Sequence, residues 1–406
     1  MKIFRGYQKS AIYNIGHNKV YAAFYIIGTA LTFVFITLVL QMTYIITYDN
    51  PPFINVDRTI HLSEFEDVNG DYLGGIPPYM IRPVMDGIKG KECYTLSNTE
   101  GINTEIQGKI RPLEVAFVDA DYWKINAFEF RDGRPFTKDD IDNQQQTAVI
   151  TEYLANSYFR GNALGKSIAI QGKTYKISGI VKDYSALANP YVTANVWIPW
   201  VFNKFVPSCN DYYELDIMFP ADMSPADMKQ QVASSIKMLY DHANVDVAIS
   251  KESLYTVSEA KSAAFGGSVL FYSVGGILLL LLLIPALNIL LLSSATVTNR
   301  ASEIAIRRAV GATQRSSFIQ IISENFILVA IGVIAGLILI FPIRTLIENM
   351  FFQNSSTSVL TNSAISVWVA LWIAILAIVF TLLSGGLPAY MMSKKNIANI
   401  LKGGSK

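Results

Sequence analysis

The chain reads Arg300-Ala-Ser-Glu303-Ile304-Ala-Ile306-Arg307-Arg308-Ala309-Val-Gly311-Ala312-Thr313 between two long apolar runs. This segment holds three arginines and one glutamate and is too short to fold alone. Because the runs on either side are long enough to be membrane helices, the segment is predicted to be a loop held at the membrane surface. Basic residues in such a loop can act as topology anchors. They can also contact a partner protein on the same side of the membrane.

Composition indicates a membrane protein. Of the 406 residues, 51% are apolar and 16% are charged, whereas soluble domains carry about a quarter charged residues. Mean hydropathy is +0.32. Four apolar blocks, each near or above the ~18 residues of a membrane span, predict four transmembrane helices. These blocks are Val20–Ile46, Val269–Leu292, Phe318–Phe341 and Ser366–Leu383. The first has 27 residues without a charge and is too long for a signal-peptide core of ~7–15 residues, so it is predicted to be an uncleaved anchor.

The distribution of charge predicts the orientation of these helices. Basic residues cluster before the first block, between the second and third blocks, and after the fourth, which places both termini and the Arg300 loop in the cytoplasm. These residues are Lys2, Arg5, Lys9, Lys19, Arg300, Arg307, Arg308, Arg315, Lys394, Lys395, Lys402 and Lys406. Residues 48–267 then lie outside; they contain 20 Lys and Arg against 29 Asp and Glu, a net charge of −9. No basic stripe points to nucleic acid.

The external residues read as an α+β domain, because strands and helices follow one another without a strict βαβ rhythm. A glycine turn separates two alternating strands, which is typical of a hairpin. Ser224 followed by Pro225 and Asp227 indicates a helix start. The predicted elements are strand Thr147–Ile150, helix Glu152–Phe159, hairpin strands Ser167–Ile170 and Thr174–Val181, strand Tyr213–Phe219, a helix from Pro225 to about Tyr240, and strand Val245–Ile249.

Signals for catalysis or metal binding are weak. The segment from Gly161 to Ser167 resembles a phosphate-binding loop but has three residues between its glycines, where that motif has four. The three histidines lack ligand spacing. The pair Asp139-Asp140 is predicted to lie in a solvated turn. Cys93 and Cys209 both fall in the external domain, where a disulfide is permitted but not implied. No catalytic residue, metal site or cofactor is therefore predicted, and any ATPase is expected in another chain.

The Arg300–Thr313 segment resembles the E-I-x-I-R-[RK]-A-x-G-A segment of FtsX/MacB/LolC-like ABC transporter permeases. Four further stretches resemble, in order, the MacB-like periplasmic core domain: Phe130–Phe136, Ala148–Ala155, Phe159–Lys166 and Ile177–Asp183. The tail resembles the family ending at Pro388, Ala389, Leu401 and Lys402, and departs from it at Met392 and Ile397. The pair Gly385-Gly386 is predicted to end the fourth span.

The resemblance and the hydropathy together predict an α-helical membrane protein with four transmembrane helices and a large α+β extracytoplasmic domain inserted between helices 1 and 2. The predicted layout is an interfacial amphipathic helix at 1–19, transmembrane helix 1 at 20–47, the MacB-like core domain at 48–267, helix 2 at 268–292, a cytoplasmic coupling loop at 293–317, helix 3 at 318–343, a short external loop at 344–365, helix 4 at 366–384 and a cytoplasmic tail at 385–406.

The resemblance also implies a function. It implies a permease subunit in the bacterial cytoplasmic (inner) membrane that works by mechanotransmission. The implied partners are an ABC ATPase subunit that binds ATP and Mg, and a second permease copy or paralogue. A periplasmic adaptor is an optional partner, and membrane lipids surround the complex. The alternatives are an FtsX-like regulatory complex that signals to cell-wall hydrolases, or a receptor without an ATPase. The size of the external domain favours the transporter, and the Arg300–Thr313 match argues against the receptor.

Three sets of site residues follow. The ATPase-coupling residues are Arg300, Glu303, Ile304, Ile306, Arg307, Arg308, Ala309, Gly311 and Ala312; the stalk hinge is Gly266 and Gly267; the helix-packing pair is Gly332 and Gly336. The i,i+4 spacing of Glu303 and Arg307 predicts an ion pair that supports a short helix. Arg308 is predicted to be free to face a carboxylate of the ATPase, and Gly311 to end the helix.

Glu324 in the third span allows two interpretations. It is either a charge at the helix end facing lipid headgroups or a tether between this helix and the Arg307 and Arg308 loop.

Overall fold

In the described part of the chain, four helices are long and apolar enough to cross a membrane. The computed structural model describes residues 16, 19–62, 65–66, 68–69, 71–74, 78–202, 214–242, 254–299, 301–351 and 365–394. The predicted amphipathic helix at 1–19, Arg300, Cys209, the strand Val245–Ile249 and the tail beyond Lys394 lie wholly or largely outside these residues. The apolar helices are α1 (Lys19–Thr47), α8 (Ser268–Asn299), α10 (Gln314–Phe351) and α11 (Val367–Thr381).

Helices α8 and α10 are longer than the apolar blocks that predicted them. Helix α8 continues to Asn299 rather than to residue 292, and α10 runs from Gln314 to Phe351 rather than over 318–343. Polar residues at these ends do not stop the helix, because their hydroxyls bond to carbonyls one turn earlier, as Thr296 does to Leu292 O at 3.1 Å. Hydropathy marks the part of a helix that contacts lipid and not the end of the helix.

The fourth apolar helix does not end at Gly385-Gly386, so that prediction is wrong. After α11 the backbone passes through a π-helical segment, Leu382–Gly386, and continues as α12 (Leu387–Lys394). Pro388 explains the wide turn: it has no backbone N–H, and its ring would clash in a regular helix with the carbonyl of Ser384, four residues earlier. One extra residue in the preceding turn removes this conflict without ending the helix.

Residues 45–267, together with 348–363, form a second compact unit, which we call the inserted domain; the four helices belong to the first, which we call the helical unit. Ten strands of the inserted domain form one mixed sheet, and two short strands pair separately. The strands are β1 (Thr59–Leu62), β2 (Phe65–Glu66), β3 (Tyr72–Gly74), β4 (Cys93–Ile106), β5 (Lys109–Val118), β6 (Phe130–Gly133), β7 (Thr147–Thr151), β8 (Ser167–Ile170), β9 (Lys173–Val181), β10 (Val196–Pro199), β11 (Glu214–Met218) and β12 (Tyr255–Thr256). The sheet order is β12-β1-β11-β4-β5-β10-β7-β9-β6, with β8 pairing with both β4 and β9.

Among its described residues, the inserted domain also has six α-helices: α2 (Pro78–Gly87), α3 (Tyr122–Ile125), α4 (Lys138–Asp142), α5 (Glu152–Phe159), α6 (Pro225–His242) and α7 (Val257–Ala264). The predicted starts of α5 and α6 are confirmed. Thr151 Oγ1 accepts from the amide of Leu154 at 3.4 Å, and Ser224 Oγ accepts from that of Asp227 at 3.2 Å. The hairpin of β8 and β9 is also confirmed, with its turn at Gln171-Gly172.

The core of the inserted domain lies in three buried clusters. One packs α5 against β7 and β9; one is aromatic and centres on fully buried Trp197; the third packs α2 and α6 against β1 and β11. The aromatic cluster includes Ile45 in the last turn of α1 and Val257 at the start of α7. Both chain segments that connect the inserted domain to the helical unit are therefore anchored in one core.

Asp140 and Cys93 are both buried in this domain. Asp140 is therefore not solvated, as the sequence had suggested: in α4 it accepts hydrogen bonds from Arg134 Nη1 at 2.7 Å and from the Thr137 amide at 2.8 Å. The hydrogen bond from Arg134 outweighs burial and lowers the Asp140 pKa to about 2. Cys93 lies beside Ile125 and Met218, while Cys209 lies outside the described residues.

Candidate coupling site

A nine-residue helix, α9 (Ala301–Ala309), lies between α8 and α10. Its first turn holds Glu303 and its last turn holds Arg307 and Arg308, which is the arrangement that the helix dipole favours. Arg307 Nη2 donates to Glu303 Oε1 at 2.7 Å, so the predicted i,i+4 ion pair is present. The pair is exposed and contributes only about 0.3–0.5 kcal/mol, enough to favour helix in a segment this short.

The end of α9 is set by Gly311, as its sequence position predicted. Its φ of +114° lies in a region that residues with a side chain rarely adopt. The chain can therefore reverse there, and the amides of Val310, Gly311 and Ala312 bond back to Ile306, Arg308 and Arg307 carbonyls, each at 3.1 Å. Thr313 then caps α10 by accepting from the Ser316 amide at 3.1 Å. The short connection between α9 and α10 is thus fixed by hydrogen bonds from backbone amides.

One face of α9 is packed into the helical unit. This inner face is Ala301, Ile304, Ala305 and Arg308, spaced at i, i+3, i+4 and i+7. Ala305 is 1% exposed, and Ala301 and Ile304 pack against a cluster formed by Val297, Ile321, Ala389 and Met392. The inner face therefore contacts the ends of α8, α10 and α12.

Arg308 belongs to this inner face, which corrects the prediction that it is free to meet a carboxylate of a partner. Its Nη1 donates to the backbone carbonyl of Ser393 at 3.0 Å. Ser393 is in the last turn of α12, where carbonyls lack partners within the helix and attract a cation. The sequence could not show this contact because the two residues are 85 positions apart.

The opposite face of α9 is exposed. This outer face consists of Ile306, Arg307, Ala309 and Val310. Val310 is 85% exposed and Ile306 is 56% exposed, so two aliphatic side chains stand in solvent beside the Glu303–Arg307 ion pair. Gly311 is also exposed, Glu303 and Ala312 are half-buried, and Arg300 lies outside the described residues. An exposed apolar patch beside charges is typical of a protein interaction surface.

Glu324 lies next to this site. It lines a small pocket, partly open to solvent, together with Arg307, Ser317, Gln320 and apolar residues of α8, α9 and α10. Gln320 Nε2 donates to Glu324 Oε1 at 3.2 Å. The pocket places the glutamate beside α9, but its hydrogen bond with Gln320 stays within α10, so both interpretations stay predictions.

Two family models cover most of the chain. The MacB-like periplasmic core domain matches residues 22–235, and the FtsX-like permease C-terminal matches residues 275–397, a range that includes all of α9. The chain belongs to the MacB/FtsX family of ABC transporter permeases. Its fold is the expected one: four transmembrane helices with an α+β domain between the first and second.

Named relatives of this permease are distant. The ABC transporter permease YvrN of Bacillus subtilis is 27% identical over 285 residues, which are 65% of each chain. The permease YknZ of the same organism is 24% identical over 62% of each chain. The macrolide export ATP-binding/permease protein MacB of Aggregatibacter actinomycetemcomitans is 24% identical over 62% of this chain and 36% of its own length. The chain therefore spans less than two thirds of each of these relatives.

Solved structures of related domains are similar to the inserted domain. The periplasmic region of MacB from Actinobacillus actinomycetemcomitans matches 52% of this chain and 94% of its own, with 13% identity and a TM-score of 0.40. The extracellular domain of the YknZ transporter from Gram-positive bacteria matches 47% of this chain and 99% of its own, with 16% identity and a TM-score of 0.37.

The glycine pair of the third membrane helix of this permease makes a close helix contact. A Cβ atom on Gly332 would lie 2.6 Å from Thr29 Cβ, and one on Gly336 would lie 2.7 Å from the Ala30 carbonyl oxygen. Helices α1 and α10 therefore approach at a distance that only glycine allows. The predicted contact is present within one chain.

Gly266 and Gly267 lie between two helices rather than inside one. Their φ values are +85° and +54°, and their amides bond back to Ala263 and Ser262 carbonyls at 3.0 and 2.7 Å, which closes α7 before α8 begins at Ser268. The start of α7 is held by a capping box between Thr256 and Glu259. The two residues predicted as a hinge therefore form the turn that joins α7 to α8.

The hinge prediction implies that a Gly266→Ala, Gly267→Ala double variant still assembles but moves its inserted domain less than the unaltered protein when ATP is added to the complex. Each alanine at positive φ costs about 1 kcal/mol, so the turn between α7 and α8 shifts to another conformation. A cysteine-attached fluorophore on the inserted domain, read with and without ATP, measures the loss. Gly275→Ala with Gly276→Ala is the matched control, because both lie inside α8 with open space around them. Equal movement in the two double variants would show that the hinge lies elsewhere.

Lys261 of α7 links the two connecting segments electrostatically. It is 4% exposed, and burial lowers its pKa, while Asp49 after α1 and Asp57 before β1 act in the opposite direction. Burial likewise raises the pKa of Asp49, with Asp57 adding to the shift and Lys261 opposing it. Sequence reasoning missed this cluster because its members are far apart in the chain.

A second buried cluster joins β1 and β11. His61 Nδ1 lies 2.7 Å from Asp216 Oδ1, and the Tyr191 ring packs on the imidazole at 4.6 Å between centroids. Burial lowers the His61 pKa, but the charge and hydrogen bond of Asp216, together with the charge of Glu214, raise it above its usual value, and burial raises the Glu214 pKa to about 7. Among the described residues, no group of three or more His, Cys, Asp and Glu side chains could hold a metal ion.

Proposed function

We propose that this permease is driven by an ABC ATPase on a separate chain, which docks on the outer face of α9. The observation that carries the proposal is the division of α9 into two faces. Its inner face is fixed to three membrane helices by packing and by Arg308, whereas its outer face presents Ile306 and Val310 to solvent. A short helix held rigidly on one side and exposed on the other can transmit a displacement of a bound partner.

We infer that the permease uses this displacement for mechanotransmission, in which movement of the membrane helices moves the inserted domain. Helix α1 has 29 residues, or ~43 Å at 1.5 Å per residue, and exceeds a ~30 Å hydrocarbon core. Its last turn packs in the core of the inserted domain through Ile45, and α7 enters the same core through Val257. Movement of α1 and α8 would thus be passed to the inserted domain. Substrate export or extraction then requires no passage between the membrane helices.

The remaining partners follow from this arrangement. ATP and Mg bind to the ATPase rather than to this chain. A second permease copy or paralogue completes the complex, lipids surround it, and a periplasmic adaptor is added where the substrate crosses an outer membrane. The basic residues in the Arg300 loop and at both ends of the chain support a cytoplasmic-membrane location with both termini in the cytoplasm.

Native purification tests this proposal. The permease is tagged, extracted from its own membranes and purified, and co-purifying proteins are identified by mass spectrometry. We expect an ABC ATPase, whose hydrolysis rate in nanodiscs rises when the permease is present. Purification of a cell-wall hydrolase in its place would support the regulatory alternative, and the absence of any ATPase would overturn the proposal.

A further inference from the structure

The π-helical segment Leu382–Gly386 is held by polar contacts with two other membrane helices. Ser384 Oγ lies 3.0 Å from Tyr25 Oη of α1, and both groups are buried. Gly385 packs directly on the side chain of Asn325 of α10, so closely that a Cβ would overlap the amide. Asn325 itself is only 4% exposed. Polar side chains inside a membrane protein are costly and mark functional positions.

The helix that follows this segment is tied to the coupling site. In α12, Ala389 and Met392 are buried against Val297 and Ile321, and Ile304 of α9 packs on the same cluster. Arg308 of α9 donates to the carbonyl of Ser393 in the last turn of α12. Displacement of α9 therefore displaces α12 as well as the ends of α8 and α10.

We propose that α12 and the π-helical segment form a second transmission route, from α9 into α1, with Arg308, Ser384 and Tyr25 as its positioning residues. The proposal rests on the proposed function, since it requires a partner that moves α9. The first route runs along the chain, because α9 is joined covalently to α8. The second is non-covalent and reaches α1, which is connected to α9 only through the inserted domain and α8 along the chain.

The π-helical segment suits this role physically. Its i→i+5 hydrogen bonds can return to i→i+4 by a shift of one residue, which rotates the following helix by about 100° relative to the preceding one. Two hydroxyls already compete for carbonyls just before it: Thr381 Oγ1 donates to Ala377 O at 2.8 Å and Ser384 Oγ to Phe380 O at 2.7 Å. An element with two discrete arrangements converts a small pull on α12 into a change at Ser384, and hence at Tyr25.

The test uses the full permease with its co-purified ATPase in nanodiscs and two fluorophore positions in a cysteine-free chain. Phe35→Cys reports on α1 between Tyr25 and the inserted domain, and Tyr272→Cys reports on the start of α8; both positions are exposed. Tyr25→Phe, Ser384→Ala and Arg308→Gln each remove one contact of the second route. We expect the ATP-driven signal at Phe35 to fall roughly three- to tenfold and the signal at Tyr272 to remain, in line with the loss of one coupling contact.

Matched controls keep the result interpretable. Ser323→Ala removes a hydroxyl that bonds within α10, to Ile319 O, and Arg315→Gln removes an exposed arginine in the first turn of α10, which is not part of the second route. Neither control should change either signal. An undiminished signal at Phe35 in the three route variants, or equal loss at both labels, would overturn the second route. Absence of any ATP-driven signal in the unaltered complex is a different result, and it counts against the proposed function.

Discussion

An Ile306→Glu, Val310→Glu double variant will bind the partner ATPase at least about 100-fold more weakly than the unaltered permease. Burial of an aliphatic side chain contributes ~1.5–3 kcal/mol, and each 1.4 kcal/mol is about a factor of ten in affinity. Two such side chains are lost here, and two carboxylates must be desolvated in their place. Titration of purified ATPase onto permease nanodiscs measures the affinity, and hydrolysis by the mixture measures the coupling.

The matched control for this variant is Gln314→Glu. It adds an acid to an exposed site close to the outer face, at a helix start where the dipole tolerates it. We expect wild-type affinity in the control. Wild-type affinity in the double variant as well would mean that the outer face of α9 does not hold the ATPase. Arg308 is unsuitable for such a test, because its replacement also breaks the contact with Ser393.

A Gly332→Leu variant will fail to form a stable helical unit. A Cβ at this position would lie 2.6 Å from Thr29 Cβ, 2.8 Å from Thr29 Cγ2 and 3.2 Å from the Ile26 carbonyl oxygen. Overpacking a tight site by one or two methylenes costs ~1–3 kcal/mol, and leucine adds a whole side chain against backbone that cannot move aside. We expect a large loss of monodisperse protein in detergent and a fall in melting temperature of roughly ten degrees or more.

Gly276→Leu is the control for this prediction. Gly276 lies in α8, and a Cβ added there would meet nothing within 4 Å, so leucine fits without a clash. Gel filtration and thermal unfolding of the two variants are compared in the same detergent. If Gly332→Leu behaves like Gly276→Leu, the close approach of α1 and α10 is not required for the fold.

The membrane helices could be predicted from the sequence because hydropathy reports lipid contact directly. Their ends could not, since the hydroxyls of residues such as Thr296 continue a helix beyond the apolar block. The prediction of where the fourth helix ends was wrong for a related reason. Two glycines and Pro388 are typical of a helix stop, but a π-helical turn accommodates the proline and Ser384 bonds to Tyr25 of another helix. That contact joins residues 359 positions apart.

In the inserted domain, the sequence predicted the elements that are determined by interactions between residues close together in the chain. Helices α5 and α6 have side-chain caps, and the β8–β9 hairpin has alternating strands on either side of a tight turn. The longer hairpin of β4 and β5 was missed, although it also turns at a Gln-Gly pair, Gln107-Gly108, because its first strand is rich in Thr, Asn and Glu. Buried Asp140 was missed because its burial depends on Arg134 and the fold around α4.

At the coupling site, the sequence predicted the features that depend on α9 and on residues next to it in the chain. The Glu303–Arg307 pair and the end at Gly311 depend on neighbours three to five residues away. The prediction that Arg308 is free was wrong, because helix periodicity shows that two residues share a face but not which face packs inward. Ile304 and Arg308 do share a face, and α12 covers it.

Photo-crosslinking in intact cells tests the central claim most directly. A photoreactive amino acid is placed at Val310, which is 85% exposed on the outer face of α9, and for comparison at Ile338, which is 66% exposed in the third membrane helix. We expect Val310 to form a covalent adduct with an ABC ATPase and Ile338 to form none. Adducts of Val310 with lipid alone, or with a protein that has no ATPase domain, would contradict docking of the ATPase on α9.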